Sequence, residues 1–377
     1  MKALGLVICS LCSFYAHAQL NFTAQVKGGF LIPHHSTMRG LMNHAQSLEV
    51  SAIYRVDSSH VAYRNLNKPS FGLIAGLIRN NNQTNNGNVV YTGLLAQKNL
   101  YEKKNRCIAL SIAGGLGYST KIFDIETNRA NIAMGARVNG LLQIGLKHYW
   151  KISKQTAFKA SVDLTHFSNG NIQMPNLGFN YLFLGLGLNR SIGQKTVRPA
   201  IHKEWNSTLV WELGLNYGRR QISIDDRQHI NMASIGMNLV YPQSEIAQWR
   251  MGFNVFYDRS YVHTDLQALP KGQSMDKVTE VAWVGGHEYR MGKLGFTSEL
   301  GIYLYRPTDK KRRYYEAVGL RLYPRSNLYL STRLKVHLTS ADYIEFGIGY
   351  QLKSKSKVKL GFRNGWRWIG NTLGLQQ

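Results

Sequence analysis

From Gln19 onward the chain alternates. Between Asn180 and Asn189, Leu182, Leu184, Leu186 and Leu188 fall on one side, and Tyr181, Phe183, Gly185, Gly187 and Asn189 on the other. A β-strand turns successive side chains to opposite faces, so this is a strand with a pure leucine face. Leucine alone, opposite glycine, aromatic and polar groups, is odd in a soluble sandwich. It suits a barrel wall between lipid and a narrow filled lumen. Tyr343 to Gln351 repeats the design, with Ile344, Phe346, Ile348 and Tyr350 outward and Glu345, Gly347, Gly349 and Gln351 inward.

About sixteen such segments follow one another, near 19–30, 46–56, 70–79, 88–97, 105–118, 136–149, 155–168, 180–190, 206–218, 229–241, 247–260, 277–290, 293–305, 313–322, 326–338 and 342–352. Each has roughly 9–14 residues, the length a tilted strand needs to cross a bilayer. Asn85-Asn86-Gly87 and Tyr323-Pro324-Arg325-Ser326-Asn327 are typical turn punctuation. The expected fold is all-β, an antiparallel transmembrane outer-membrane β-barrel of about sixteen strands; an even number is the rule in bacterial single-chain barrels.

Gln194 to Trp205 lacks alternation and reads as a connector between two sets of eight segments. Val162–His166 followed by Tyr181–Leu188 faintly resembles Leu334–His337 followed by Tyr343–Tyr350. Any two barrel strands look alike, so one sixteen-stranded barrel and two eight-stranded units in tandem both fit. The tandem is the working expectation: a signal peptide over 1–18, a candidate catalytic unit over 19–192, a connector over 193–205 and a second barrel-like unit over 206–377. Lys353 to Gln377, basic and aromatic, reads equally as one more strand or as an interfacial segment.

Composition then narrows the partner. With 44% apolar residues the chain is not disordered by composition. No run of eighteen apolar residues spells a transmembrane helix. Lys and Arg number 46 against 21 Asp and Glu, a net charge of +25 that calls for an anionic partner. Met1-Lys2, an apolar stretch to Tyr15 and then Ala16-His17-Ala18 read as a secretory signal peptide cut before Gln19. Cys9 and Cys12 would leave with it, so Cys107 alone remains and no intramolecular disulfide is expected. Export disfavours nucleic acid and favours anionic outer-membrane lipid.

The candidate chemistry lies between Asp163 and Asn180, DLTHFSNGNIQMPNLGFN. His166 and Ser168 are two apart at a strand end and share a face with Phe158, Ala160, Val162 and Leu164. Lys159, Ser161, Asp163 and Thr165 take the opposite, inward face. Odd-numbered strands of an even-stranded wall run outward, which places this pair at the outer rim, level with the headgroups. Serine needs a base to take its proton, and imidazole serves near neutral pH. Asn169-Gly170-Asn171 can adopt the positive φ values that aim amides at an oxyanion.

His166-Phe167-Ser168-Asn169 followed by Pro175-Asn176-Leu177-Gly178 resembles the PagL-type lipid A 3-O-deacylases and the related acyloxyacyl hydrolases of bacteria. Gly28 to His34 also looks like the start of the larger members, and the resemblance covers about residues 19–192. It implies an eight-stranded outer-membrane barrel that removes an ester-linked acyl chain from lipid A or lipopolysaccharide without a metal or cofactor. It further implies Ser168 as nucleophile, His166 as base and Asn169 at the oxyanion, where the turn makes the amide of Gly170 or Asn171 available as well. One position departs from the pattern. The family has a glutamate some fourteen residues after the histidine, where this chain has Asn180. An amide can orient an imidazole but brings no charge.

The competing reading is a non-catalytic barrel: a porin, an adhesin or a lipopolysaccharide-binding scaffold. Other features have plain explanations. His34, His35 and His44 read as rim histidines. His337 and Thr339 read as a lumen-facing echo of the H-x-S pattern. The tryptophans read as an interfacial girdle. Lys103-Lys104-Asn105-Arg106 and Lys310-Lys311-Arg312-Arg313 read as loops beside lipid phosphates.

Overall fold

Lipid offers no hydrogen-bond partner to a strand's backbone, so a sheet that crosses it must close on itself. A computed structural model, describing residues 19–56, 69–193, 208–225, 228–244, 246–263, 275–307, 313–338 and 340–353, closes the sheet twice. The expected signal peptide, the connector 194–205, Thr339, Lys310-Lys311-Arg312 and the tail after Lys353 lie outside the described residues.

The first barrel is β1 (Leu20–Leu31), β2 (His44–Arg55), β3 (Ser70–Asn80), β4 (Asn88–Lys103), β5 (Arg106–Ser119), β6 (Val138–Lys151), β7 (Thr156–Ser168) and β8 (Phe179–Ile192). The second is β9 (Val210–Gln221), β10 (His229–Pro242), β11 (Ala247–Asp258), β12 (Thr279–Met291), β13 (Leu294–Tyr305), β14 (Tyr314–Arg325), β15 (Leu328–His337) and β16 (Ser340–Lys353). Each strand pairs antiparallel with its sequence neighbours. β1 closes on β8 from Leu20↔Ile192 to Leu31↔Tyr181, and β9 closes on β16 from Glu345↔Gly218 to Lys353↔Val210. Of the two architectures compatible with the sequence, the tandem of eight-stranded barrels is the one formed.

Three strands run three or more residues past their alternation. β4 continues to Lys103 because it stays paired with β5 through a bulge between Asn99 and Tyr101. β9 continues to Gln221, which pairs with His229 of β10, donates through Nε2 to the Ser223 carbonyl at 2.7 Å and also reaches the other barrel. β14 continues to Arg325, which pairs with Leu328 past an irregularity after Leu322, so Tyr323-Pro324-Arg325, expected as turn, is strand.

The walls follow the pattern read from sequence. Leu184, Leu186 and Leu188 are exposed, Leu184 by 66%. The lumens are filled. In the first barrel, Lys27 Nζ sits 2.6 Å from Glu49 and 3.1 Å from Asp163. Glu49 also accepts from Gln25 at 2.6 Å, Tyr91 at 2.7 Å and Gln143 at 3.1 Å. Towards the β7–β8 turn this polar layer gives way to Phe167, Phe179, Tyr181 and Phe183, with Tyr181 stacked on Phe183 at 5.4 Å.

The second lumen is a ladder of ions. Arg321 bridges Glu212 at 2.7 Å and Glu288 at 3.1 Å, while Glu299 takes Arg250 at 2.7 Å and Arg333 at 2.8 Å. Lys335 reaches Glu280 at 2.9 Å. Buried charges are tolerable only when paired and fully hydrogen-bonded, and removing one partner strands the other. Glu49→Ala is therefore expected to lower the unfolding free energy of the detergent-folded protein by about 3–5 kcal/mol, read from its urea midpoint.

Candidate active site

Register assembles the site. β7 lies against β8 with His166 directly opposite Asn180. Side chains opposite each other across an antiparallel pair are close enough to touch. His166 and Ser168 leave the outer face of β7, half-buried, while Thr165 and Phe167 turn into the lumen. Ser168 Oγ is 2.9 Å from His166 Nε2, and His166 Nδ1 is 2.6 Å from Asn180 Oδ1.

The chain of contacts continues into the first strand. On the other edge of β8, Ile32 N–H donates to the Asn180 carbonyl at 2.7 Å as the chain leaves β1. Two residues later, His34 Nδ1 lies 2.7 Å from Asn180 Nδ2. One assignment of hydrogens satisfies all four groups: Ser168 O–H donates to Nε2, His166 Nδ1–H donates to Oδ1, and the Asn180 amide donates to a neutral His34. Asn180 thus does what an amide can do and a carboxylate cannot, by donating on one side while accepting on the other. From sequence, His34 carries only the signal of a histidine just beyond a strand end. Its pairing with Asn180 spans most of the barrel's sequence, and local pattern does not reveal it.

The turn after Ser168 is left-handed. Gly170 has φ 59° and Asn171 φ 62°, and Ile172 N–H returns to the Asn169 carbonyl at 3.3 Å. Positive φ at both central positions is the mark of a type I′ turn, a conformation that Gly and Asn adopt readily. Its closing hydrogen bond leaves the amides of Gly170 and Asn171 out. Asn169, expected to present its side chain to an oxyanion, is instead engaged in the loop. Its Nδ2 donates to the Gln173 carbonyl at 2.8 Å, and its N–H donates to Asn176 Oδ1 at 2.8 Å. Asn176 Nδ2 in turn donates to Asn171 Oδ1 at 3.1 Å. Asn176 is visible in the sequence only as part of the P-N-x-G run, and its task is to hold this loop.

Gly178 brings the chain back past the imidazole. A Cβ there would lie 2.8 Å from His166 Cε1 and 2.7 Å from the Phe167 carbonyl oxygen, and its φ is 79°. Beneath the site, the turn Ser36–Leu41 plugs the lumen with Met38 and Leu41 beside Ala133, Met134 and the aromatic stack. The catalytic candidates therefore stand on a packed base.

Other sequence candidates go elsewhere. His35 bonds Thr37 at 2.7 Å. Among the described residues, no three His, Cys, Asp or Glu side chains converge as metal ligands. His337 faces its lumen, 3.1 Å from Tyr303 and 3.6 Å from Asp342.

Comparison with known families matches this architecture barrel by barrel. Residues 47–189 match the family model of lipid A 3-O-deacylase (PagL). Residues 209–354 match that of the acyloxyacyl hydrolase C-terminal domain. The chain belongs to the PagL family. It is a carboxylic ester hydrolase of that type, set in the outer membrane. No curated protein matches it in sequence. Among solved structures, a triple mutant of the Rhodopseudomonas blastica porin is 8% identical, with a TM-score of 0.17 over 88% of this chain and 100% of its own. The KdgM porin is 6% identical, with a TM-score of 0.18 over 89% and 99%.

For this PagL-family chain, Gly178→Ala tests whether the imidazole tolerates displacement. Misplacing a catalytic group by about 1 Å can cost 10²-fold. The variant is expected to lose about 10–100-fold in kcat while keeping the heat-modifiable gel mobility of a folded barrel.

Proposed function

We propose that the protein is a serine esterase that removes an ester-linked acyl chain from lipid A, with Ser168, His166 and Asn180 acting in sequence. The observation that carries this reading is the 2.9 Å contact between Ser168 Oγ and His166 Nε2 on the membrane-facing side of the wall. An ester carbonyl of a lipid in the same leaflet can reach a hydroxyl placed there.

Ser168 Oγ attacks the acyl carbonyl and its proton passes to His166 Nε2. The amides of Gly170 and Asn171 are the donors proposed for the oxyanion, held by Asn169 and Asn176. The sugar hydroxyl leaves with the proton from Nε2. Water then attacks the acyl-enzyme, with His166 again as base, and the fatty acid departs. The excess of 46 Lys and Arg over 21 Asp and Glu draws the chain's loops to lipid A phosphates. Lumens packed with charged side chains and rings speak against a conduit.

The test is mass spectrometry of lipopolysaccharide incubated with the refolded protein. The parent is expected to release one fatty acid, and Ser168→Ala to release it more than about a thousandfold more slowly. No release from a folded parent overturns the proposal.

His34 gives the mechanism a pH dependence. Desolvation first, and then the neighbouring His35, hold its imidazole below the usual value. Its neutral Nδ1 accepts from Asn180 at neutral pH. As pH falls through that lowered value, a hydrogen on Nδ1 opposes the Asn180 amide and turns it over. Asn180 then presents Nδ2 to His166 Nδ1, which fixes the proton on Nε2, where no proton can be taken from Ser168. Losing one such hydrogen bond costs about 1 kcal/mol, so His34→Ala is expected to lower kcat about fivefold at neutral pH. The acidic fall in kcat should also become shallower, since only His166 then titrates. An unchanged profile of kcat against pH would remove His34 from the mechanism.

A further inference from the structure

The turn that follows Ser168 is held from outside its own barrel. Gln221, at the end of β9, donates its backbone N–H to the Asn171 carbonyl at 2.9 Å. Its side-chain Oε1 accepts from Met174 N–H at 2.9 Å. The Asn171 side-chain amide donates to the carbonyls of Ala341 and Asp342 at the start of β16. Between these points Gly170 lies directly on the second barrel's wall. A Cβ at Gly170 would fall 2.5 Å from Ile344 Cγ1 and 3.3 Å from Leu334 Cδ1. Ile344 is accordingly half-buried, whereas Phe346 and Ile348 below it on the same outward face are 59% and 48% exposed.

The support is itself rigid. Arg220, next to Gln221, is bonded to the Asp342 carboxylate and lies 3.2 Å from Asp258. One buried guanidinium thus ties together the two strand ends that grip the turn. At the opposite end of the barrels, Val56 and Ile246 are buried against each other with Tyr54 and Phe71 around them. Contacts at both ends resist rocking of one barrel on the other.

We propose that the C-terminal barrel is a positioning element of the N-terminal active site, with Gln221 as the residue that fixes the 169–174 turn. The proposal rests on the esterase reading for its catalytic consequence. A type I′ turn on a barrel rim has two central residues and no packing of its own. Asn169 and Asn176 brace it from within its own barrel, and contacts from outside set its tilt against the neighbouring wall. Asn171 is gripped at both its carbonyl and its side chain, and Met174 at its N–H, so the tilt is set at three places. The partners at these three places, Gln221, Ala341 and Asp342, belong to the second barrel. Its strands therefore supply orientation and no reacting group.

Gln221→Leu keeps the backbone donor and removes the Met174 acceptor; Gln221→Glu keeps an acceptor at the same reach. In the full-length protein, Gln221→Leu is expected to lower kcat about tenfold with KM within about twofold, and Gln221→Glu to retain most of kcat. Hydrogen exchange gives a readout independent of turnover. The amides of Gly170 and Asn171 should exchange at least about tenfold faster in Gln221→Leu, with those of β7 and β8 unchanged. Unchanged exchange at the turn overturns the proposal, whatever kcat does. Faster exchange with unchanged kcat overturns the catalytic consequence. If the parent releases no fatty acid, the esterase reading fails by itself, and the exchange measurement still decides whether Gln221 holds the turn.

Discussion

The whole structure follows from the need to satisfy every backbone polar group inside a hydrocarbon layer. Strands meet it only by closing, and eight of them enclose a lumen about wide enough for side chains to fill. Whatever faces inward must pack or pair. The first barrel answers with Lys27, Glu49 and Asp163 beneath an aromatic layer, and the second with an ion ladder through Glu212, Arg321, Arg250 and Glu299. Because side chains fill most of both lumens, the outer face and the rims are where a lipid substrate can be met. His166 and Ser168 occupy that remaining place.

Closure also explains how so small a site can be ordered. His166 and Asn180 need no loop to meet, since the β7–β8 register places them opposite one another. The β1–β8 seam brings His34 to the far side of Asn180. A carboxylate at position 180 would hold the imidazole through charge. Asn180 holds it through a defined direction of donation, which is meaningful only because a second acceptor fixes which way the amide faces. In the proposed mechanism, an amide at this position depends on geometry where a carboxylate would act by charge, and on a neighbour that titrates.

How much of this was legible depended on sequence distance. Period-two alternation located the strands because lipid and lumen impose opposite demands on successive residues, as Leu182 to Leu188 illustrate. The same parity put His166 and Ser168 on one face and Asp163 on the other. Gly170 and Asn171 signalled a left-handed turn through their own conformational freedom. What stayed hidden was pairing between distant segments. Nothing near His34 announces Asn180, and nothing near Asn171 announces Gln221. Asn169 shows the complementary failure. A motif carries a residue type forward, but only the folded loop reveals that its amide is turned to Gln173.

The second barrel has the same eight-stranded architecture as the first but a different rim. His337 ends β15 much as His166 ends β7, yet it turns inward to Tyr303, Arg306 and Asp342. There it adds to the ion ladder and stands away from lipid. The inward turn matters for the first barrel. Asp342 is drawn into a network with Arg220, Lys335 and His337, and that network anchors the start of β16, where Asn171 is gripped. A lumen built from ions is stiff because displacing any one member leaves several others unpaired. The charge density of the second barrel, superfluous for catalysis of its own, thereby gives the turn beside Ser168 a fixed surface to lean on.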